Sequence, residues 1–200
     1  MKKILFSVIA LAAFSTMSAQ EETTTQEGYA KGDIFITGQV GFSINKNDDS
    51  KGTQFSVGPS VGYFVTSNIA LGAGFVYGHQ WNKDLHYNSK STQNTYAPSL
   101  FGRYYFTPAN KFSLFAHAGA SYYYQEYRLD GDVVNHNNTF TAMAGGGLNY
   151  FITPHLSLNT TLALVQYSDN QYNSSNHDKS SVLSAELSLS NLQFGMSYKF

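Results

Sequence analysis

The chain contains no cysteine, which rules out a disulfide framework, a thiolate metal site and a lipid-modified cysteine behind a leader. It carries little charge. Asp, Glu, Lys and Arg make up 12% of its 200 residues, against about 25% in an ordinary soluble domain. The net charge is −1, so nothing draws the chain to nucleic acid. Beyond the N-terminus there is no apolar run of about 18 residues, the minimum for a helix that spans a bilayer. A helical membrane protein is therefore excluded.

What is present is aromatic residues, glycine and repetition. Tyr and Phe number 15 each and Gly 17. At the N-terminus, Lys2 and Lys3 precede an apolar stretch from Ile4 to Phe14 and a small-residue tail from Ser15 to Ala19. That is the pattern of a secretory signal peptide at 1–19. A lead at 20–31 follows it, expected to lie in the periplasm. The main body runs over 32–200.

One turn recurs three times: Tyr63-Phe64-Val65-Thr66-Ser67-Asn68-Ile69, Tyr105-Phe106-Thr107-Pro108-Ala109-Asn110 and Tyr150-Phe151-Ile152-Thr153-Pro154-His155-Leu156. Each joins two alternating segments. Their other ends meet across long polar stretches near 45–52, 82–94, 126–138 and 168–180. Three short turns and four long loops predict an all-β fold, an eight-stranded antiparallel up-and-down transmembrane β-barrel. The hairpin repeat of about 45 residues accounts for the internal similarity.

Strand side chains alternate between two faces. Ile34, Ile36, Val40, Phe42 and Ile44 share one face of the first segment, and Thr37, Gln39, Gly41 and Ser43 the other. The same division runs through the next segments, down to Leu156, Leu158, Leu162 and Leu164 in the seventh. In the last segment the apolar set changes from odd (Leu183, Ala185, Leu187, Leu189) to even (Leu192, Phe194, Met196, Tyr198, Phe200). A β-bulge of one residue near Ser190-Asn191 reconciles the two, and leaves Glu186 and Ser188 pointing inward. A soluble barrel would be apolar inside, with mixed charges outside. Here the polar face is small and almost uncharged, which suits a narrow barrel interior, so the apolar face belongs in lipid. Tyr63, Trp81, Tyr104, Phe106, Tyr122, Tyr124 and Tyr150 then form interfacial girdles. Pro59 interrupts the second segment and calls for a bulge or a shortened pairing there.

The Thr-Pro turns and the ending Leu192-Gln193-Phe194-Gly195-Met196-Ser197-Tyr198-Lys199-Phe200 carry a family resemblance over 32–200. The chain resembles the small outer-membrane barrels of the OmpA/OmpX type, and more closely the β-barrel-domain or "porin family" outer-membrane proteins of Bacteroidetes. The resemblance implies residence in the bacterial outer membrane, in contact with its lipid and lipopolysaccharide. It also implies recognition by the barrel-assembly machinery through the terminal pattern Phe194, Tyr198 and Phe200. Unlike full-length OmpA, the chain shows no peptidoglycan-binding domain, so a wall-tethering role does not carry over.

Candidate chemistry is sparse. Arg103 and Glu186 are expected to face inward and to pair, directly or through Gln39 and His117, because an unpaired buried charge is expensive. Such a group is either a structural network or a gate for ions. His117 reads as a hydrogen-bonded interior residue. The runs Gly72-Ala73-Gly74 and Gly145-Gly146-Gly147 lack the lysine and following helix of a phosphate loop. Ser174-Ser175-Asn176-His177-Asp178 lacks the spatial definition of a triad. Asp48-Asp49 and Asp130-Gly131-Asp132 lack the ligand count of a calcium site and read as turns. No cofactor, metal or catalytic residue is expected. The functional expectation is a structural or surface-interaction protein with a side-chain-filled interior and an unidentified partner at its outer loops. A narrow pore for ions or small solutes and, more weakly, a lipid-modifying enzyme using Ser175 and His177 are the alternatives.

Overall fold

The computed structural model describes residues 27–46, 50–84, 89–172, 179–185 and 193–200. Its strands are β1 (Ile34–Lys46), β2 (Ser50–Phe64), β3 (Ile69–Asp84), β4 (Lys90–Tyr105), β5 (Phe112–Leu129), β6 (Asp132–Phe151), β7 (Leu156–Tyr172), β8 (Lys179–Ala185) and β9 (Gln193–Lys199). Neighbours pair antiparallel from β1 through β7, β7 pairs with β9, and β9 returns to β1. The sheet thus closes into an eight-membered ring. β8 pairs with β7 beyond β9, so β8 and β9 share the place of one strand. Thr161 faces Gln193 while Val165 faces Ala185, so three residues of β7 span seven of the last strand. The single-residue bulge expected near Ser190-Asn191, and the inward placement of Glu186 and Ser188, lie outside the described residues. The change of parity is carried by the pairing: odd Leu183 and Ala185 face the outward Tyr167 and Val165, whereas even Met196 faces the outward Leu158.

Polarity is inside-out. Ile34, Val40, Phe42, Leu100, Leu114, Leu148 and Leu158 are exposed, whereas Thr37, Ser113, Ser121, Thr141, Asn149, Asn159 and Ser197 are buried. β7 departs from the single parity expected of it. Ala144 faces Val165 but Gly145 faces Ala163, which inserts one residue at Leu164. The outward set therefore passes from Leu156 and Leu158 to Val165 and Tyr167.

The polar stretches differ from expectation too. Their described residues continue the strands. β5 and β6 stay paired through 126–138 to Leu129 and Asp132, with a register shift at Tyr127 and Arg128. The connection is the pair Asp130 (φ 49°) and Gly131 (φ 107°), the positive-φ turn favoured in two-residue hairpins. Pairing likewise reaches Lys46 with Lys51, Lys83 with Lys90 and Gln171 with Lys179. β1–β7, of 13 to 20 residues, exceed the roughly 9–11 needed to cross a bilayer, so their paired hairpins project well past it. Their alternation was hidden because both faces are polar once outside lipid.

Pro59 pairs with Gly38 of β1. Towards β3, pairing stops at Val57–Tyr77 and resumes at Ser60–Gly74 in the same register. Pro98 does the same towards β5, between Tyr96–Tyr124 and Ser99–Ser121. Each proline costs a short gap in one ladder and no bulge. Leu100 lies on the outer face about five residues above the short-turn end of β4, near mid-membrane. Leu100→Arg is expected to destabilise the barrel in lipid vesicles by about 2–4 kcal/mol, measured by urea unfolding.

Candidate functional site

The interior is built in tiers from the short-turn end. Each of the three repeated turns is preceded by an aromatic doublet: Tyr63-Phe64, Tyr104-Tyr105 and Tyr150-Phe151. Alternation sends the first residue of each out and the second in. Tyr63, Tyr104 and Tyr150 are exposed, while Phe64, Tyr105 and Phe151 are 0% exposed. Phe35 of β1 and Phe115 of β5 join them. Glycines on the barrel wall make the room: a Cβ at Gly62 would strike the Phe35 ring, and one at Gly147 the Phe115 ring.

Tyr29, from the N-terminal lead, fills the centre of this cluster. Its ring lies 4.6 Å from Phe64, 4.8 Å from Phe151 and 5.4 Å from both Phe35 and Tyr105. Burial, and then the neighbouring Tyr105, push its phenol far above the ordinary tyrosine range. The hydroxyl lies 3.4 Å from Ser157 Oγ, which donates to Asn149 Oδ1. The lead is fastened on either side. Tyr29 N donates to Pro108 O at 2.7 Å and Gly32 N to Phe64 O at 2.9 Å. Lys199 Nζ donates to Gly28 O and lies 3.9 Å from Asp33. Gly28, at φ 118°, sits so close to the Ala109 backbone that no side chain fits. The Lys111–Glu27 pair at 3.1 Å is half-exposed and adds little.

Arg103 lies above this floor, 6% exposed. Its guanidinium is 4.8 Å from the Phe115 ring centre, 5.0 Å from Phe101 and 5.9 Å from Phe35. Nη1 donates to the Tyr105 hydroxyl at a long 3.4 Å. His117 is its cross-strand partner on β5 and stacks on Phe101 at 5.9 Å. Among the described residues no carboxylate pairs with Arg103, and Glu186 lies outside them. Each cation–π contact is worth about 0.5–2 kcal/mol, against several kcal/mol to desolvate the ion. Gln39, Arg103 and His117 line one cavity of about 120 Å³. Thr37, Ser197 and Asn159 form a hydrogen-bonded chain elsewhere in the interior: Thr37 Oγ1 is 2.6 Å from Ser197 Oγ, to which Asn159 Nδ2 donates at 2.7 Å.

The family model of the outer membrane protein beta-barrel domain matches residues 6–200. The chain belongs to that family. Among solved structures it is similar to the outer membrane protein OprG of Pseudomonas aeruginosa, with 16% identity, 87% of this chain and 98% of that one covered, and a TM-score of 0.52. It is also similar to the attachment invasion locus protein Ail of Yersinia pestis, solved with the heparin analogue sucrose octasulfate, with 13% identity, 85% and 99% covered, and a TM-score of 0.50. At these identities the likeness shows the fold. No match was found among curated proteins.

In this outer-membrane barrel the terminal residues lie on the outer face. Phe194 is exposed, and Tyr198 stacks on His155 at 5.7 Å and meets Phe200 edge-on at 5.0 Å. Ser175 and His177 lie outside the described residues. Sequence reasoning placed Arg103 and His117 inside but missed Tyr29, Phe35, Phe64, Phe115 and Phe151. The doublets carried the signal for two of these, since an aromatic directly after an outward one must point in. Tyr29→Ala is expected to cost about 3 kcal/mol in urea unfolding, as for other buried aromatic truncations. Tyr29→Phe, which loses only a weak hydrogen bond, should cost less than about 1 kcal/mol.

Proposed function

We propose that this outer-membrane barrel is a non-enzymatic structural and surface-interaction protein, closed at its periplasmic floor, whose projecting hairpins meet the outside. The observation that carries this reading is the floor itself. An eight-stranded barrel is only wide enough for its side chains to fill, and Tyr29 completes a cross-section already occupied by Phe35, Phe64, Tyr105, Phe115 and Phe151. A pathway for solute would have to displace all of them. The signal peptide at 1–19 directs export. Phe194, Tyr198 and Phe200 present the outward aromatic pattern to the assembly machinery. The exposed apolar belt meets lipid and lipopolysaccharide, and the paired extensions of β1–β8 display their Tyr, Asn and Ser side chains to an extracellular partner.

A narrow pore is the second reading. The cavity above Arg103 favours it, because it shares Gln39, Gly58, Val76 and Tyr123 with a further cavity of about 350 Å³. The barrel is thus hollow above its floor. Refolded protein in planar bilayers is expected to give no stable current steps. Stable, ion-dependent steps would reject the closed floor and put the pore first. Incubation with lipopolysaccharide is expected to leave the lipid unchanged. Modification that disappears in Ser175→Ala or His177→Ala would establish the enzyme instead.

A further inference from the structure

We propose that the cavity above Arg103 is a binding site for one small monovalent anion, a halide or a short-chain carboxylate. The site stands on three observations. The first is an uncompensated charge. Arg103 is 94% buried and, among the described residues, faces rings and hydroxyls but no carboxylate. Rings stabilise a cation's face without accepting its in-plane N–H groups. The second is a set of idle polar atoms in one place. Arg103 Nε, His117 Nδ1 and Thr161 Oγ1 are all buried without a hydrogen-bond partner, and their residues line the same cavity. Buried polar atoms are rarely left so. A guanidinium N–H only donates, a hydroxyl can donate, and an imidazole donates from Nδ1 in one tautomer. All three can donate to an acceptor held in that cavity.

The third is size. The cavity, about 120 Å³, is well above the ~10–15 Å³ that a single water needs. One halide or one acetate-sized carboxylate therefore fits. A single guanidinium is neutralised by a single negative charge, so a monovalent ion leaves no residual buried charge. The floor beneath blocks the periplasmic route, so the ion enters from the hollow upper half, where Gln39, Gly58 and Tyr123 continue into the next cavity. This assignment does not rest on what the outer hairpins bind, and it is compatible with a barrel that passes no current.

The test is chloride nuclear magnetic resonance on the barrel purified in detergent, at fixed ionic strength. The native protein should broaden the chloride line. Acetate should reverse the broadening. Arg103→Met should abolish it while heat-modifiable migration shows that the barrel still folds. Arg103→Lys keeps the charge but loses the planar fork, and should raise the half-saturating concentration by about tenfold. This conservative variant, with displacement by acetate on native protein, decides the matter if Arg103→Met fails to fold. Glu186→Gln should leave the broadening unchanged. No broadening by native protein, equal broadening by folded Arg103→Met, no reversal by acetate, or broadening that appears only in Glu186→Gln would each overturn the site. The last result would mean that Glu186 already supplies the counter-charge.

Discussion

In lipid there is no water to hydrogen-bond a peptide group, so every backbone amide must be paired within the protein. The rest of this molecule follows from that constraint. A sheet satisfies it only by closing, and the ring from β1 through β7 and β9 closes. Closure fixes one face towards lipid and the other towards the interior, with side chains alternating between them. It also explains how two prolines are tolerated. Pro59 and Pro98 each retain pairing on one side and interrupt it on the other for a pair of residues, without shifting register. Where β7 does shift register, opposite Gly145, the outward apolar set shifts with it.

Closing the wall creates a second problem, an interior that must be filled. The barrel does this differently along its axis. At the periplasmic end it uses rings, with Tyr29 from the lead at their centre and glycines on the wall where Phe35 and Phe115 need room. Next comes Arg103, whose charge faces two of those rings, Phe35 and Phe115, and the ring of Phe101. Beyond it the interior opens into cavities bounded by Gln39, serines and glycines. The result is a cup with its base towards the periplasm. Such a base costs nothing in membrane contacts, because alternation supplies an inward residue next to every girdle tyrosine. Tyr63 with Phe64, and Tyr150 with Phe151, each anchor the interface and the floor from adjacent positions.

The fold was legible because lipid on one side and small polar residues on the other make the period of two visible for most of each strand, as in Ile34 to Ile44. The turns were legible through their Thr-Pro and aromatic pattern. What stayed hidden has physical reasons. The upper strands read as loops because water surrounds both faces there and apolar alternation ends, although the Asp130-Gly131 pair is a hairpin turn in its own right. The floor was hidden because Tyr29 sits in a segment with no periodicity, and its role comes from ring neighbours 6 to 122 residues away in sequence. Of the interior group read from sequence, Arg103, His117 and Gln39 do share one cavity. Arg103 was expected to pair with Glu186, which lies outside the described residues; among the described residues its guanidinium meets Phe101 on its own strand, Phe115 on β5 and Phe35 on β1.

The most direct test of the inside-out barrel uses the absence of native cysteine. Single substitutions Ser99→Cys, Leu100→Cys, Leu114→Cys and Ser121→Cys, each carrying a fluorophore in lipid vesicles, can be quenched by nitroxide placed in the acyl chains. Strong quenching at 100 and 114, with little at 99 and 121, is the pattern this account predicts. Equal quenching at all four positions, or quenching stronger at 99 and 121, would contradict it.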